Sequence, residues 1–230
     1  MQVSKGVLWT CVQEGCQNVQ ALAEKTGAST VCGSCKPLLA EMTGTPPDPL
    51  RTTPAKILIL FSILAAITAL CTWLVPGVTM AESVESWWFK VDALWRDGLL
   101  KRITGFSLLG VSIFATLLSL RKRIFRFQWG DFMNWRIIHA VTGIVGLIIL
   151  FLHTGFHMGS NLNFWLMSSF LGLNALGAIA GVISGIEASS MGRWGLMARR
   201  WRPQLTLFHQ LIFWPFVVLL IFHIAAAFIY

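Results

Sequence analysis

The chain has few charged residues: Asp, Glu, Lys and Arg together make up 12% of its 230 residues. A soluble globular domain carries about 25%. Tyrosine is nearly missing, with 1 Tyr against 11 Trp, and mean hydropathy is +0.67. These values argue against an ordinary soluble protein. They predict a chain that lies mostly in a membrane, because Trp favours the water–lipid interface.

Several catalytic motifs are also missing from the sequence. It contains no hydrolase triad, no Gly-rich phosphate loop and no complete nucleotide site, and no flavin or nicotinamide domain follows its last apolar run. These absences disfavour a self-sufficient catalytic subunit. The net charge of +8 does not indicate nucleic acid. Basic excess in a membrane protein usually marks the cytoplasmic side.

The apolar runs define the fold class. A lipid span needs roughly 20 apolar residues. The sequence predicts an all-α protein, a five-span transmembrane helical bundle with a small helical N-terminal domain. The predicted spans are Ile57–Val75, Thr104–Leu120, Ile137–Phe156, Phe164–Gly185 and Leu205–Ile229. We assign residues 1–44 to the N-terminal domain, 45–56 to a stiff Pro- and Thr-rich linker without helix, and 57–230 to the bundle.

Basic loops orient these spans. "RKRIFRF" follows the second span and "GRWGLMARRWR" lies between the fourth and fifth. The positive-inside rule places both loops in the cytoplasm. We therefore expect a multi-pass protein of the bacterial inner membrane with a cytoplasmic N-terminus and an external C-terminus. The external loop "PGVTMAESVESWWFKVDALWRDGLLKR" has the Trp and apolar spacing of an amphipathic helix at the interface.

Histidine spacing is the strongest functional signal. His139 and His153 are fourteen residues apart in the third span, and His209 and His223 repeat this spacing in the fifth. Fourteen residues rise about 21 Å and return to nearly the same helix face. Each helix therefore presents two imidazoles on one face, one towards each membrane surface.

The topology predicts which histidines meet. The third and fifth spans run the same way, so His139 lies level with His209 on the cytoplasmic side, and His153 lies level with His223 on the outer side. Each pair can hold a haem iron between two imidazole nitrogens. A zinc site would need about four ligands at one level. The spacing thus predicts two b-type haems rather than zinc. The alternative is that these are packed or hydrogen-bonded helix histidines.

Two further features of these spans fit a haem. Gly143 and Gly146 lie between the two histidines of the third span, where glycine would let a flat macrocycle approach the backbone. Pro215 is placed to kink the fifth span between its histidines.

The His-x13-His pair on each of two helices resembles the bis-haem b cores of ferric reductases, NADPH oxidases and the cytochrome b of quinol:cytochrome c oxidoreductases. The resemblance covers residues 137–229. It implies a helical bundle that holds two stacked b haems and passes electrons across the membrane.

Other polar residues have simpler interpretations. His157 lies one turn beyond His153, and we interpret it as a solvated helix-end residue rather than a propionate partner, quinone partner or alternative ligand. Several basic residues near the cytoplasmic level are interpreted as topology determinants, of which one or two can pair with haem propionates through bidentate hydrogen bonds: Arg121, Lys122, Arg123, Arg136, Arg199 and Arg200.

Four of the five cysteines lie in the first 35 residues: Cys11, Cys16, Cys32 and Cys35. Such a group indicates disulfides or a metal. A reducing cytoplasm favours thiolate ligation over disulfides. Cys32 and Cys35 have the spacing of half an iron–sulfur or zinc site. Cys71, in an apolar run, is interpreted as inert packing.

The segment "VSKGVLWTCVQEGCQNVQALAEKTGASTVCGSCKPLL" resembles the BFD-like [2Fe–2S] domain of bacterioferritin-associated ferredoxin and of assimilatory nitrite and nitrate reductases. "VSKG", "EGC" and "TGAST-CGSC-PLL" match in order and spacing across residues 3–41. The resemblance implies Cys32 and Cys35 as cluster ligands. The family's other pair, a Cys-x-Cys before the Val, would fall upstream of Met1.

Three explanations of the missing pair stay open. Translation starts upstream, Cys11 or Cys16 has been recruited, or the domain has lost its cluster and docks a partner. We favour an upstream start, because the resemblance begins at the third residue. Cys11 and Cys16 do not carry over as ligands, since two residues five apart on one helix are expected to point in different directions.

We therefore expect an electron-transfer subunit of a respiratory oxidoreductase complex, with two haem b groups and a [2Fe–2S] domain as its cytoplasmic electron port. Its partners would be other subunits of the complex, with quinone or an external redox protein at the end of the relay. The alternative is a non-catalytic membrane anchor for a larger redox complex. A transporter that uses its intramembrane histidines ranks third.

Overall fold

The computed structural model describes residues 3–30, 35–45, 49–74, 93–123, 131–189 and 193–229, apart from the side chains of 37, 49–52 and 118–123. Within these ranges the chain is helical and contains no β-strand, which confirms the all-α prediction. The N-terminal helices are α1 (Lys5–Gln13), α2 (Val19–Thr26) and α3 (Lys36–Thr43). The long helices are α4 (Pro49–Leu74), α5 (Gly98–Arg123), α6 (Phe132–Thr154), α7 (Leu162–Ser189) and α8 (Arg193–Ile229).

The long helices match the predicted spans. Five described segments are long and apolar enough to cross a membrane: Thr53–Leu74, Gly98–Leu117, Phe132–Thr154, Leu162–Ser189 and Arg193–Ile229. The largest difference is at α8, which begins twelve residues before the predicted Leu205 and includes the basic segment. It continues through Pro203 and Pro215 to Ile229. The predicted amphipathic loop helix lies mostly outside the described residues.

The prediction of a helix-free linker is wrong from residue 49 onwards, because α4 begins at Pro49. A proline at the first helical position costs nothing, since its missing N–H would have no intrahelical partner. Pro54 removes one i→i−4 hydrogen bond. The helix still continues past Pro54, because Ala55 and Leu58 in the following turn are buried against α6 and α7.

The N-terminal helices enclose a core of their own, formed by Leu8, Cys11, Cys16, Leu22, Ala28 and Leu39. Ser4 caps α1 by accepting a hydrogen bond from the Val7 amide, and Asn18 caps α2 through the Ala21 amide. Such caps satisfy amides that the first helical turn leaves without partners.

Small residues form the seam between α4 and α7. On α4 the buried residues recur at intervals of three and four: Ala55, Leu58, Ser62, Ala65 and Ala69. On α7, Gly181 faces Ser62, and Gly185 faces Ile59 and the carbonyl oxygen of Ala55. Lipid tails are as apolar as leucine, so close backbone approach rather than hydrophobicity drives this association.

Packing orders the helices as α5, α6, α4, α7, α8, each in contact with the next. In the described residues, α6 and α8 do not pack closely backbone to backbone. Their contact is made by side chains that reach across the space between them. The central core joins α4, α6, α7 and α8 through Ala69, Leu147, Leu150, Met167, Phe170, Leu171 and Phe216.

The glycine seam gives a direct test of this packing. A Cβ at Gly185 would lie 3.0 Å from the Ala55 carbonyl oxygen and still closer to Ile59. Gly185→Ala is therefore expected to destabilise the bundle by about 1–3 kcal/mol, the usual cost of overpacking. The measurement is reversible unfolding in mixed detergent micelles.

Gly110 provides the matched control, since a Cβ there meets no atom within 4 Å. Gly110→Ala should leave stability unchanged or raise it by up to about 1 kcal/mol through helix propensity. Equal effects of the two substitutions would contradict the seam.

Candidate functional site

Two histidine pairs face each other across the space between α6 and α8. The ring centroids of His139 and His209 are 6.2 Å apart with an interplanar angle of 88°. Those of His153 and His223 are 6.5 Å apart at 83°. The structure therefore brings together the level pairs that the spacing predicted. We call His139 and His209 the inner pair, and His153 and His223 the outer pair.

The inner pair is held by backbone carbonyls. His139 Nδ1 lies 3.0 Å from the carbonyl oxygen of Ala115 on α5. His209 Nδ1 lies 3.0 Å from that of Leu173 on α7. A carbonyl oxygen only accepts, so both Nδ1 atoms carry the proton and donate it. In a neutral imidazole the lone pair then belongs to Nε2, the form that binds a metal.

The outer pair is held by side chains. His153 Nδ1 lies 3.1 Å from the hydroxyl of Thr104, which donates its own proton to the Lys101 carbonyl at 3.1 Å. The hydroxyl is thus left to accept from His153. His223 Nδ1 lies 2.8 Å from Asn163 Oδ1, which also accepts. The outer rings are therefore held in the same tautomer as the inner rings.

In all four hydrogen bonds the acceptor lies on the helix that precedes the histidine's own helix in the chain. Both histidines of α6 are anchored by α5, and both histidines of α8 are anchored by α7. Each antiparallel helical hairpin thus carries two oriented imidazoles. Hydrogen bonds to the second ring nitrogen are how proteins orient metal-binding histidines.

The spacing of each pair fits one metal ion between two imidazoles. With metal–nitrogen bonds of about 2 Å, and a ring centroid about 1.1 Å from its nitrogen, the two centroids should be about 6 Å apart. The observed values are 6.2 and 6.5 Å. In the described part of the chain, no group of three or more His, Cys, Asp or Glu side chains could hold a metal. Two protein donors per site suit haem iron, whose macrocycle supplies its other ligands.

Two glycines that the sequence analysis did not single out lie against the rings. A Cβ at Gly105 of α5 would lie 3.1 Å from His153 Cε1, and one at Gly177 of α7 would lie 3.0 Å from His209 Cε1. Gly143 and Gly146, which the sequence analysis singled out, both have side chains of α7 as neighbours. Gly143 faces Asn174, and Gly146 is buried against the Phe170 ring.

Aromatic rings fill the level between the two pairs. Phe216 lies on α8 midway between His209 and His223, seven residues from each. It packs against Phe170 of α7 with centroids 5.6 Å apart, and both rings are buried. Phe170 in turn lies 3.4 Å from a Cβ at Gly146, which is seven residues from both His139 and His153 on α6. The two pairs are therefore separate sites with packed aromatic rings at the level between them.

The remaining polar candidates lie outside the pairs. His157 is exposed, and its Nδ1 lies 3.1 Å from the Thr154 carbonyl at the end of α6. Arg136 lies over the Phe132 ring, 4.8 Å from its centroid. Arg200 is exposed on α8. The side chains of Arg121, Lys122 and Arg123 lie outside the described residues.

A buried carboxylate organises the basic segment of α8. Glu187, near the end of α7, is 5% exposed and lies 2.7 Å from Arg202 and 3.8 Å from Arg199. A buried charge needs such partners. Arg199 also lies 3.8 Å from Glu41 of α3. This contact links the N-terminal domain to the end of the bundle nearer the inner pair, which we call the inner end.

The cysteines are arranged differently from our expectation. Cys11 and Cys16 form a disulfide with a Cα–Cα distance of 5.5 Å, and both are buried. The prediction that they point apart is wrong, because α1 ends at Gln13 and a turn through Gly15, at φ 100°, brings Cys16 back. As a disulfide they supply no thiolate to a metal.

The Cys-x-x-Cys pair is only partly described. Cys35 is an exposed free thiol next to the start of α3, and Cys32 lies outside the described residues. An iron–sulfur site at Cys32 and Cys35 therefore stays a prediction.

No family model matches the chain, and no match was found among curated proteins or among solved structures.

The glycine contacts predict a selective defect. Gly177→Ala should push the His209 ring off its Leu173 carbonyl and weaken the inner site, leaving the outer site intact. For the haem ligation that the histidine spacing predicts, the haem retained per chain after purification is expected to fall by the share of the inner site. Gly172→Ala on the same helix is the control, since its Cβ meets only Ile212 at 4.0 Å. Equal losses in both variants would contradict a role for Gly177 in placing His209.

Proposed function

We propose that this chain is a membrane electron-transfer protein that binds one haem b between His139 and His209 and another between His153 and His223. One observation carries the proposal. Two facing imidazole pairs, 6.2 and 6.5 Å apart, have every Nδ1 hydrogen-bonded so that Nε2 serves as the ligand atom. Bound haem supplies reversible one-electron chemistry at each site.

The chain's own residues position the sites and separate them from each other. The Nδ1 hydrogen bonds turn each ring towards its partner, and such bonds also adjust the electron density of a ligating imidazole. Gly105 and Gly177 leave room for the rings against α5 and α7. The packed, buried rings of Phe170 and Phe216 separate the two levels.

The separation of the pairs suits a relay across a bilayer. The fourteen-residue spacing places the inner and outer levels about 21 Å apart along the helices. The hydrocarbon core of a membrane is about 30 Å thick. Each pair then lies near one surface, within reach of a redox partner on that side.

The proposed orientation of the bundle in the membrane rests on the position of its basic residues. Arg199, Arg200 and Arg202 lie at the same end of the bundle as the inner pair and the N-terminal domain. By the positive-inside rule this end is cytoplasmic, in a bacterial inner membrane.

The N-terminal domain would act as the electron port. Its resemblance to BFD-like domains assigns a [2Fe–2S] cluster to a site that includes Cys32 and Cys35. The contact between Glu41 and Arg199 supports docking of α3 at the inner end, next to the start of the relay. Cys11 and Cys16 would be available as further ligands once their disulfide is reduced. Other subunits of a redox complex, or quinone, would supply and remove electrons.

The haem assignment predicts two separable losses. The dithionite-reduced protein should show the absorbance of six-coordinate b-type haem. His139→Ala and His209→Ala should each remove the inner contribution, and His153→Ala and His223→Ala the outer one, because each iron needs both imidazoles. Haem content and redox titration of the purified variants measure this.

His157→Ala is the control, since His157 is exposed and bonds only to the end of its own helix among the described residues. It should retain both haems. A wild-type protein without b-type absorbance would reject the proposed function and favour a membrane anchor or a histidine-based transporter.

The cluster assignment predicts an EPR signal of a reduced [2Fe–2S] centre in the full-length native protein. Cys32→Ser and Cys35→Ser should abolish it, because thiolates hold such clusters. Cys71→Ser should preserve it, since Cys71 is a free thiol on the surface of α4. A native protein with no such signal, together with an intact mass that begins at Met1, would overturn the cluster assignment.

A further inference from the structure

The first three turns of α8 extend beyond the apolar part of the helix. Helix α8 has 37 residues, which at 1.5 Å per residue make it about 55 Å long. The hydrocarbon core of a bilayer is only about 30 Å thick. The apolar run of this helix starts at Leu205, so residues 193–204 lie at the level of the lipid headgroups and the adjacent water.

One face of this segment packs against the protein. Gly195 and Ala198 are buried, and Arg202 and His209 are partly buried. These residues are separated by three, four and seven positions, so they share one helix face. Arg202 reaches the buried Glu187 of α7 from this face. The rest of the bundle therefore covers one face of α8 from its first turn to the inner pair.

Arg200 lies on the opposite face of α8. Successive residues are about 100° apart, so Arg200 is about 160° around the helix from both Ala198 and Arg202. It is exposed, and the exposed side chains of Leu207 and Leu211 continue its face towards the membrane centre. This face changes from a guanidinium to apolar side chains within two turns, as a lipid changes from headgroup to acyl chain.

The height of Arg200 matches the phosphate layer of a bilayer. Arg200 precedes Leu205 by five residues, which is about 7.5 Å along the helix. The headgroup region extends roughly 5–7 Å beyond each side of the hydrocarbon core. Trp201 is exposed next to Arg200, and Trp is enriched at this interface. The Arg200 side chain is therefore within reach of lipid phosphates.

Arg200 also differs in its charge partners from the arginines on either side of it. Arg199 lies 3.8 Å from both Glu41 and Glu187, and Arg202 lies 2.7 Å from Glu187. In the part of the chain that the structure describes, no carboxylate lies within ion-pair distance of Arg200. A guanidinium without a carboxylate partner complements an anion, and it can donate two parallel hydrogen bonds to a phosphate.

We propose that Arg200 binds the phosphate of an anionic phospholipid whose acyl chains lie along the exposed apolar side chains of α8. A lipid fits better than a soluble anion, because it contacts both the guanidinium and the apolar face below it. An anionic headgroup fits better than a zwitterionic one, because no second charge within the headgroup offsets its phosphate. Arg200 points away from the space between α6 and α8, so it is not a partner for a haem propionate.

The test is a titration of the full-length protein in detergent micelles with phosphatidylglycerol, with bound lipid counted by native mass spectrometry. Wild type should bind phosphatidylglycerol more tightly than phosphatidylcholine. Arg200→Gln should weaken phosphatidylglycerol binding about fivefold, the usual effect of one cation near a membrane surface. Arg200→Lys should lose part of the affinity, because an ammonium lacks the bidentate geometry. Inorganic phosphate at constant ionic strength should not compete, because it makes no apolar contact.

Arg193→Gln is the matched control. Arg193 has the same charge, is also exposed and lies seven residues before Arg200 on the same face. It is about 10 Å further from the membrane along the helix, beyond the headgroup layer. Its loss should change the affinity for phosphatidylglycerol less than the loss of Arg200.

Three results would overturn the lipid site. Equal effects of Arg193→Gln and Arg200→Gln would indicate a general cationic surface, open to an acidic protein. The others are equal wild-type affinities for the two lipids and displacement of lipid by inorganic phosphate. An unchanged helical circular dichroism spectrum of Arg200→Gln checks that the fold is intact. The inference needs α8 in a membrane but no haem, so a protein without haem would reject the proposed function and leave this inference standing.

Discussion

The hydrogen bond at Nδ1 of each histidine is the interaction on which the site depends. An imidazole on a membrane helix can rotate, tautomerise or pair with a carbonyl, and only one arrangement presents Nε2 to a partner ring. Helices α5 and α7 each supply two acceptors, so each hairpin fixes the rings of its own second helix. The proposed haem sites then form where two prepared hairpins face each other.

Lipid shapes the rest of the bundle. Because apolar side chains gain little by leaving lipid for protein, the helices rely on close approach and on satisfied polar groups. The α4–α7 seam uses glycine, alanine and serine for that approach. Glu187 shows the polar side of the same constraint, since its buried charge is balanced by two arginines at the inner end of the bundle.

The proposed relay connects these features. The N-terminal domain contacts the inner end through Glu41 and Arg199. The inner pair is anchored by carbonyls that no substitution of a side chain can remove, whereas the outer pair is anchored by Thr104 and Asn163. The anchors of the outer pair can therefore be changed by substitution, whereas those of the inner pair cannot.

The all-α class, the five apolar spans and the pairing of His139 with His209 and of His153 with His223 could be predicted from the sequence. Hydropathy and the fourteen-residue period are local properties of single helices, and the basic loops supplied the orientation that the pairing also needed. The ring anchors, the glycines beside the rings and the aromatic layer could not be predicted, because they depend on which residue of a neighbouring helix lies opposite. The tertiary structure also decided the Cys11–Cys16 contact and the start of α4 at Pro49, because a turn and long-range packing override local preference there.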